Sequence, residues 1–150
     1  MDPTNNIIHL TRSTDKNSWD TIESFFQKKQ SSDLNRLVTF INNFDIDITT
    51  DSSILENYLT DWANNKGEAI GLCRPKNANE CGIIIRCFYK YRMPYTLCAG
   101  QTALTGSSCP SGGFVVSLEK MRFPSVKVDL DLNTIESPVG IYLEDLRNQV

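Results

Sequence analysis

From Gly67 onward the chain changes its grammar, and that change restricts the fold more than any other feature. Ala69–Cys73 and Tyr95–Cys98 are short apolar runs of strand length, and the residues between them carry a helical pattern. Asn77-Ala78-Asn79-Glu80 has the form of a capping box. The Asn77 side chain can accept a backbone N–H while Glu80 returns a bond to the cap. The helix it opens would place Cys81, Ile84, Ile85 and Phe88 on one face. It should end near Arg92, because Pro94 disfavours helical backbone just before it. Strand, helix and parallel strand make a βαβ unit. Phe114–Leu118 reads as a third strand, and Val126–Leu130 turns at Asp131-Leu132-Asn133 to return through Thr134–Val139. The expected class is α+β with an α/β-like unit: a small parallel or mixed sheet with flanking helices.

Upstream of Gly67 the pattern is helical. Ser18–Lys29 sets Trp19, Ile22, Phe25 and Phe26 at helical spacing. Ser32 stands as an N-cap before Leu34, Leu37, Val38, Ile41 and Phe44. Asp45–Ser53 is acidic and turn-rich. Ile54–Trp62 is a third helical segment with Leu55, Tyr58, Leu59 and Trp62 on one face, broken by Asn64-Asn65-Lys66-Gly67. The expected organisation is a helical N-terminal extension, residues 1–48, preceding a unit over residues 49–150.

The chain is 150 residues long, with 15 basic and 18 acidic groups and a net charge of −3, which argues against recruitment to nucleic acid by bulk charge. The charge is unevenly spread. Residues 1–66 hold ten acidic and six basic groups, residues 67–150 eight and nine, and no Asp or Glu occurs from Cys81 to Leu118. The single histidine, His9, excludes a multi-histidine metal site on this chain, and no metal is expected. Five cysteines without a C-x-x-C pair fit neither a zinc ribbon nor a complete disulfide framework; they read as small core residues in a reducing compartment. Cys98, at the edge of a loop, is the one placed to react, although packing carries more weight there. Met1–Asp20 lacks an apolar signal region and no apolar run approaches a membrane span. The expected address is cytoplasmic, with peripheral membrane attachment left open for a longer parent.

The segment richest in chemistry is Cys98-Ala-Gly-Gln-Thr-Ala-Leu-Thr-Gly-Ser-Ser-Cys-Pro-Ser-Gly-Gly113, directly after a predicted strand. Small residues let a ligand approach the backbone, and successive N–H groups can form a concave anion-binding nest. Thr102, Thr105, Ser107 and Ser108 add hydroxyl donors without charge, so a diphosphate is a natural guest. A P-loop is excluded because five residues separate Gly100 from Gly106 and Ser107 stands where Lys is needed. No G-x-G-x-x-G occurs either.

In combination these residues resemble a known family. Tyr58-Leu-Thr-Asp61-Trp62, Arg74-Pro75-Lys76, Pro94-x-x-x-Cys98-Ala-Gly-Gln-Thr-x-Leu-Thr-Gly106, Pro110-x-Gly-Gly113-x-Val115, Glu119-Lys-Met121 and Val139-Gly140-Ile141 with Leu143-Glu-Asp-Leu146 follow one another as in the FAD-linked oxidases. The branch most similar is that of the flavin-dependent D-lactate and D-2-hydroxy-acid dehydrogenases. The match covers roughly residues 50–150. It implies that the FAD pyrophosphate is bound by Cys98, Ala99, Gly100, Gln101, Thr102, Ala103, Thr105 and Gly106, through backbone amides and the two threonine hydroxyls. It also implies Pro75 near the adenine and Gly140 opening a second cofactor-facing turn.

Two departures matter. Cys98-Ala99-Gly100-Gln101-Thr102 stands where the family often has Arg-Gly-Gly-Gly-Thr, which removes a positive charge. Relatives that attach flavin covalently here use a histidine where this chain has Thr102, so FAD is expected to be noncovalent. The family continues into a second Gly-rich segment and a substrate-binding cap. The chain therefore reads as the first part of an FAD-binding domain, with the other half and a small 2-hydroxy-acid substrate as its partners in the parent, and with no catalytic residue of its own. The alternatives are a non-catalytic interaction module using the Trp19–Phe44 helices as a partner surface, or a non-redox FAD-dependent relative.

Overall fold

The fold is described from a computed structural model, covering residues 15–27 and 33–150. Among the described residues two helices come first, α1 (Lys16–Gln27) and α2 (Leu34–Asn42), then strand β1 (Asp47–Thr49). A short helix α3 (Ser52–Leu55) runs into a 3-10 turn, Glu56–Tyr58. The strand–helix grammar follows: β2 (Gly71–Arg74), α4 (Ala78–Tyr91), β3 (Tyr95–Cys98) and β4 (Phe114–Ser117). A hairpin of β5 (Lys127–Asp129) and β6 (Thr134–Glu136) precedes α5 (Leu143–Arg147).

The four-stranded sheet has the order β1-β2-β4-β3. β2, β4 and β3 are parallel, while β1 lies antiparallel on β2 with Ile48 opposite Cys73. β2 and β3 are thus parallel but not adjacent; β4 enters between them, pairing Leu72 with Val115 and Leu97 with Val116. The class is mixed α+β, with a small mixed sheet and flanking helices, as the sequence leads one to expect.

Alternation along the strands sends side chains to two faces. Cys73, Phe114 and Val116 join Ile22, Leu37, Phe40, Ile41, Ile83, Ile84, Cys87 and Phe88 in the larger core. Leu72, Val115 and Cys98 meet Leu55 and Tyr58 on the opposite face. Both faces of the central strands are therefore covered, which is why β4 reads Phe-Val-Val-Ser and is buried throughout.

Several local expectations change. The cap of α2 is Asp33, whose carboxylate accepts from Asn35 N–H at 3.0 Å; Ser32, Lys28 and Lys29 lie outside the described residues, as does His9. Within the stretch read as acidic and turn-rich lies β1, held because Ile46 and Ile48 are buried in the larger core. The capping pair on α4 forms with one change. Asn77 Oδ1 accepts from Glu80 N–H at 3.0 Å, but Glu80 accepts from Lys76 N–H, one residue before the cap, at 2.8 Å and from Asn77 Nδ2 at 2.9 Å rather than from the cap's own N–H. The buried face of α4 is Ile83, Ile84, Cys87 and Phe88, one residue round from the face expected, because α1 and α2 pack beside it as well as the sheet. Cys81 and Ile85 instead line an apolar groove with Trp19, Tyr89 and Tyr95. No described helix is long and apolar enough to cross a membrane.

The helix expected over Ile54–Trp62 stops at Tyr58, and Trp62 is 76% exposed rather than on a buried face. The reason is Asp61. Its carboxylate captures the backbone N–H groups of Ala63 and Asn65, at 3.0 Å each, and so substitutes a tight turn for further helix.

Candidate functional site

Because β2, β3 and β4 are parallel, their carboxyl ends lie along one edge of the sheet, where open α/β sheets bind ligands. Arg74 and Pro75 leave that edge from β2, Cys98 and Ala99 from β3, Ser117 and Leu118 from β4. The topology brings the loop 99–106, Pro75 and the segment against Gly140 to the same end of the sheet.

The individual residues play different parts there. Pro75 is fully buried, and Cys98 is buried where it packs with Leu72, Val115 and Tyr58. Burial pushes the Cys98 thiol up to about 11, with Ser117 lowering and Glu119 raising it further, so at neutral pH it is a small apolar plug beneath the loop. Gly140 is buried too. A Cβ there would come within 2.6 Å of the Leu118 carbonyl oxygen and 2.9 Å of those of Glu119 and Met121. Its N–H donates to Met121 O at 2.9 Å, so it docks one turn onto the chain leaving β4.

The loop itself is tied to the turn at residues 57–65. Gln101 adopts a left-handed backbone, φ 53°, and its Nε2 donates to the carbonyls of Asn57 and Thr60 at 3.0 and 3.1 Å. Its own carbonyl accepts from Trp62 N–H at 3.1 Å. Gly106, at φ 78°, donates its N–H to Asp61 Oδ2 at 3.0 Å. Between these anchors Thr102 and Thr105 are exposed and Ala103 half-buried. Among the described residues the N–H groups of all six positions from Gly100 to Thr105 have no hydrogen-bond acceptor. Of the residues to which the sequence pointed, Gly106 uses its amide within the fold, whereas Gln101 is anchored by its side chain and carbonyl and keeps its backbone N–H open.

Asp61 is the residue whose role sequence reasoning missed. It is 5% exposed and accepts four N–H bonds, from Ala63, Asn65, Asn65 Nδ2 and Gly106. The Asn65 side-chain bond, with the three backbone bonds, holds its carboxyl below the usual range against the opposing effect of burial. The Asp61-x-x-x-Asn65 spacing was the available signal, since Asp and Asn in a turn bond to nearby backbone.

A charged cluster supports the sheet edge. Arg74 Nε lies 2.9 Å from Asp47, which also pairs with Lys120, and Arg74 Nη1 lies 3.9 Å from Glu119. Tyr58 donates its hydroxyl to Glu119 at 2.6 Å. Burial and that bond raise the phenol's pKa, so Tyr58 stays a donor. Among the described residues no group of His, Cys, Asp and Glu is arranged to hold a metal ion.

A diphosphate fits this loop. Six unoccupied N–H groups, those of residues 100–105, and two hydroxyls are neutral donors, and the carboxylate tied to the loop, Asp61, is already bonded to four donors. Gly100 leaves the backbone open. Its backbone is not left-handed and a Cβ would meet nothing nearer than Thr102 Cγ2 at 3.8 Å, so the fold alone does not require glycine there.

The family model described as FAD binding domain matches residues 69–150, more than half of the chain. The chain belongs to the FAD-binding domain family. FAD is accordingly its cofactor. No curated protein matches the chain. Solved structures similar to this FAD-binding chain include chitooligosaccharide oxidase, with a TM-score of 0.60 and 17% identity, covering 75% of this chain and 25% of that one. Glucooligosaccharide oxidase from Acremonium strictum, whose FAD is described as 6-S-cysteinyl, 8α-N1-histidyl, gives 0.57 and 17% over 73% and 24%. Xylooligosaccharide oxidase from Myceliophthora thermophila C1, in complex with xylobiose, gives 0.52 and 16% over 69% and 22%. At these identities the likeness is one of fold. The chain spans about a quarter of the length of the solved structures it matches.

Proposed function

We propose that this chain is the first part of the FAD-binding domain of a flavin-dependent 2-hydroxy-acid dehydrogenase or oxidase of the D-lactate type, with FAD bound noncovalently. Residues 49–150 form that part and residues 1–48 an extension, of which the described helices α1 and α2 pack on it. The N–H groups of Gly100, Thr102, Ala103 and Thr105, with the hydroxyls of Thr102 and Thr105, hold the diphosphate. Cys98 and Gln101 shape the loop from below, Ala99 and Gly106 are its entry and exit, and Pro75 and Gly140 set the neighbouring backbone. When bound, the flavin supplies the redox chemistry by accepting a hydride from the substrate carbon. This chain's residues supply binding and orientation, while the groups that bind and deprotonate the hydroxy acid belong to the remainder of the parent.

The observation that carries this reading is the row of free amides at the carboxyl edge of a parallel sheet, in a chain of the FAD-binding domain family. The 2-hydroxy-acid assignment rests on the resemblance of the motifs from Tyr58 to Leu146; the oligosaccharide oxidases share the fold. The interaction-module alternative is disfavoured by packing. The rings of Phe25 and Phe40 stack at 3.8 Å, Arg86 lies 4.3 Å over Trp19, and Phe26 is packed against the larger core.

The test is a titration of the isotopically labelled chain with FAD, followed by NMR. Shifts concentrated at residues 99–106, with an affinity weaker than micromolar because half of the contacts are supplied elsewhere, are expected. Shifts confined to other regions would reject the site. Substrate class is read on the product of the complete reading frame: D-2-hydroxy acids should bleach its flavin absorption and oligosaccharides should not.

A further inference from the structure

An exposed loop of small residues does not hold one shape unaided. Residues 99–106 are anchored at two points, and both anchors come from a single turn. Gln101 is fixed by the carbonyls of Asn57 and Thr60 and by Trp62 N–H. Gly106 is fixed by Asp61. We propose that Asp61 is a positioning residue for the FAD diphosphate: with Gln101 held at the other end, its bond to Gly106 keeps residues 102–105 as a preformed arch of free amides. The proposal rests on residues 99–106 being the diphosphate loop.

A carboxylate beside an anion site is ordinarily unfavourable, since like charges repel. Here its two oxygens are shared among four N–H donors, all at 3.0 Å. The negative charge is thereby directed into the turn, and the Gly106 amide is withdrawn from the ligand. The donors left for the diphosphate are the amides from Gly100 to Thr105. Rigidifying a loop in its binding conformation strengthens affinity by removing the ordering cost, and apparent affinity scales with the fraction of molecules already competent.

Asp61→Asn separates the two halves of this arrangement. The remaining amide oxygen can still accept from Ala63 and Asn65, so the turn is kept, but an NH2 group now faces the Gly106 N–H. Gln101→Ala cuts the opposite anchor and serves as the second variant if Asp61→Asn does not fold. Asp33→Ala, which removes the N-cap of α2 in the extension, is the stability control. The probes are FAD and inorganic pyrophosphate, titrated into the labelled 150-residue chain and followed by NMR, with a thermal melt of each variant.

Asp61→Asn and Gln101→Ala should each weaken both probes about tenfold, the equivalent of one lost hydrogen bond to a binding-competent state. Asp33→Ala should bind as the wild type despite a comparable loss of melting temperature. Wild-type affinity in Asp61→Asn, or equal weakening in Asp33→Ala, would overturn the positioning role alone. Absence of shifts at residues 99–106 in the wild-type chain would remove the diphosphate reading, and this proposal with it.

Discussion

Gly112 and Gly113 offer a direct measure of how tightly the loop's return is built. Both are left-handed, at φ 99° and 66°. A Cβ on Gly112 meets nothing within 4 Å, whereas one on Gly113 would sit 2.0 Å from the Pro94 carbonyl oxygen and 2.6 Å from its carbon. Gly112→Ala should therefore cost only the backbone penalty, about 1–2 kcal/mol. Gly113→Ala bears that penalty and must also displace Pro94, whose oxygen accepts from Phe114 N–H at 3.0 Å where β3 and β4 begin. Adding about 1–3 kcal/mol for overpacking and about 1 kcal/mol for the hydrogen bond gives about 3–6 kcal/mol. At about 2–4 °C per kcal/mol for a chain of this size, Gly112→Ala should lower Tm by about 2–8 °C and Gly113→Ala by about 6–24 °C. Circular dichroism melts of the two variants and the wild type read the difference. Equal losses in the two variants would refute the steric reasoning, because only the contact with Pro94 distinguishes them.

Burial makes three thiols inert. Native chain treated with iodoacetamide at mildly alkaline pH should remain unlabelled at Cys73, Cys87 and Cys98, since Cys73 is raised well above its usual value, Cys87 to about 12 and Cys98 to about 11. Mass spectrometry of the digest would show it, and rapid native labelling of Cys98 would contradict its place beneath the loop. Acid should release the Gly106 anchor late. The Asp61 carboxyl is depressed in the folded chain, so its contribution is present above the ordinary carboxylate pKa and is lost only as pH falls through the lower folded value. The Gly106 amide resonance should follow that titration with a midpoint below 3.8; a midpoint above it would show that the four-donor environment is absent.

Much of this protein was decided by local pattern. The capping box at Asn77 and Glu80, the end of α4 at Arg92, the strands at Gly71–Arg74, Tyr95–Cys98 and Phe114–Ser117 and the hairpin about Asn133 all follow from residues near in sequence. The Gly/Thr loop after β3 was equally legible, because small residues and hydroxyl donors directly after a strand are a local signature. So was its membership of a flavin-binding family, carried by the ordered set of short motifs from Tyr58 to Leu146.

Tertiary structure decided what depends on residues far apart. The three residues of β1 become a strand only through Arg74, Cys73 and Leu72 opposite them, and β4 enters between β2 and β3 through pairings that no local period encodes. The face α4 buries was set by Ile22, Leu37 and Ile41, which lie more than thirty positions upstream. Above all, the sequence showed a loop able to meet a diphosphate but not which of its groups are free. Asp61 and Gln101 take up Gly106 and the carbonyls of Asn57 and Thr60 across some forty residues. A hydrogen bond at that separation is made only when the chain has already closed on itself, so composition could name the donors and only the fold could assign them.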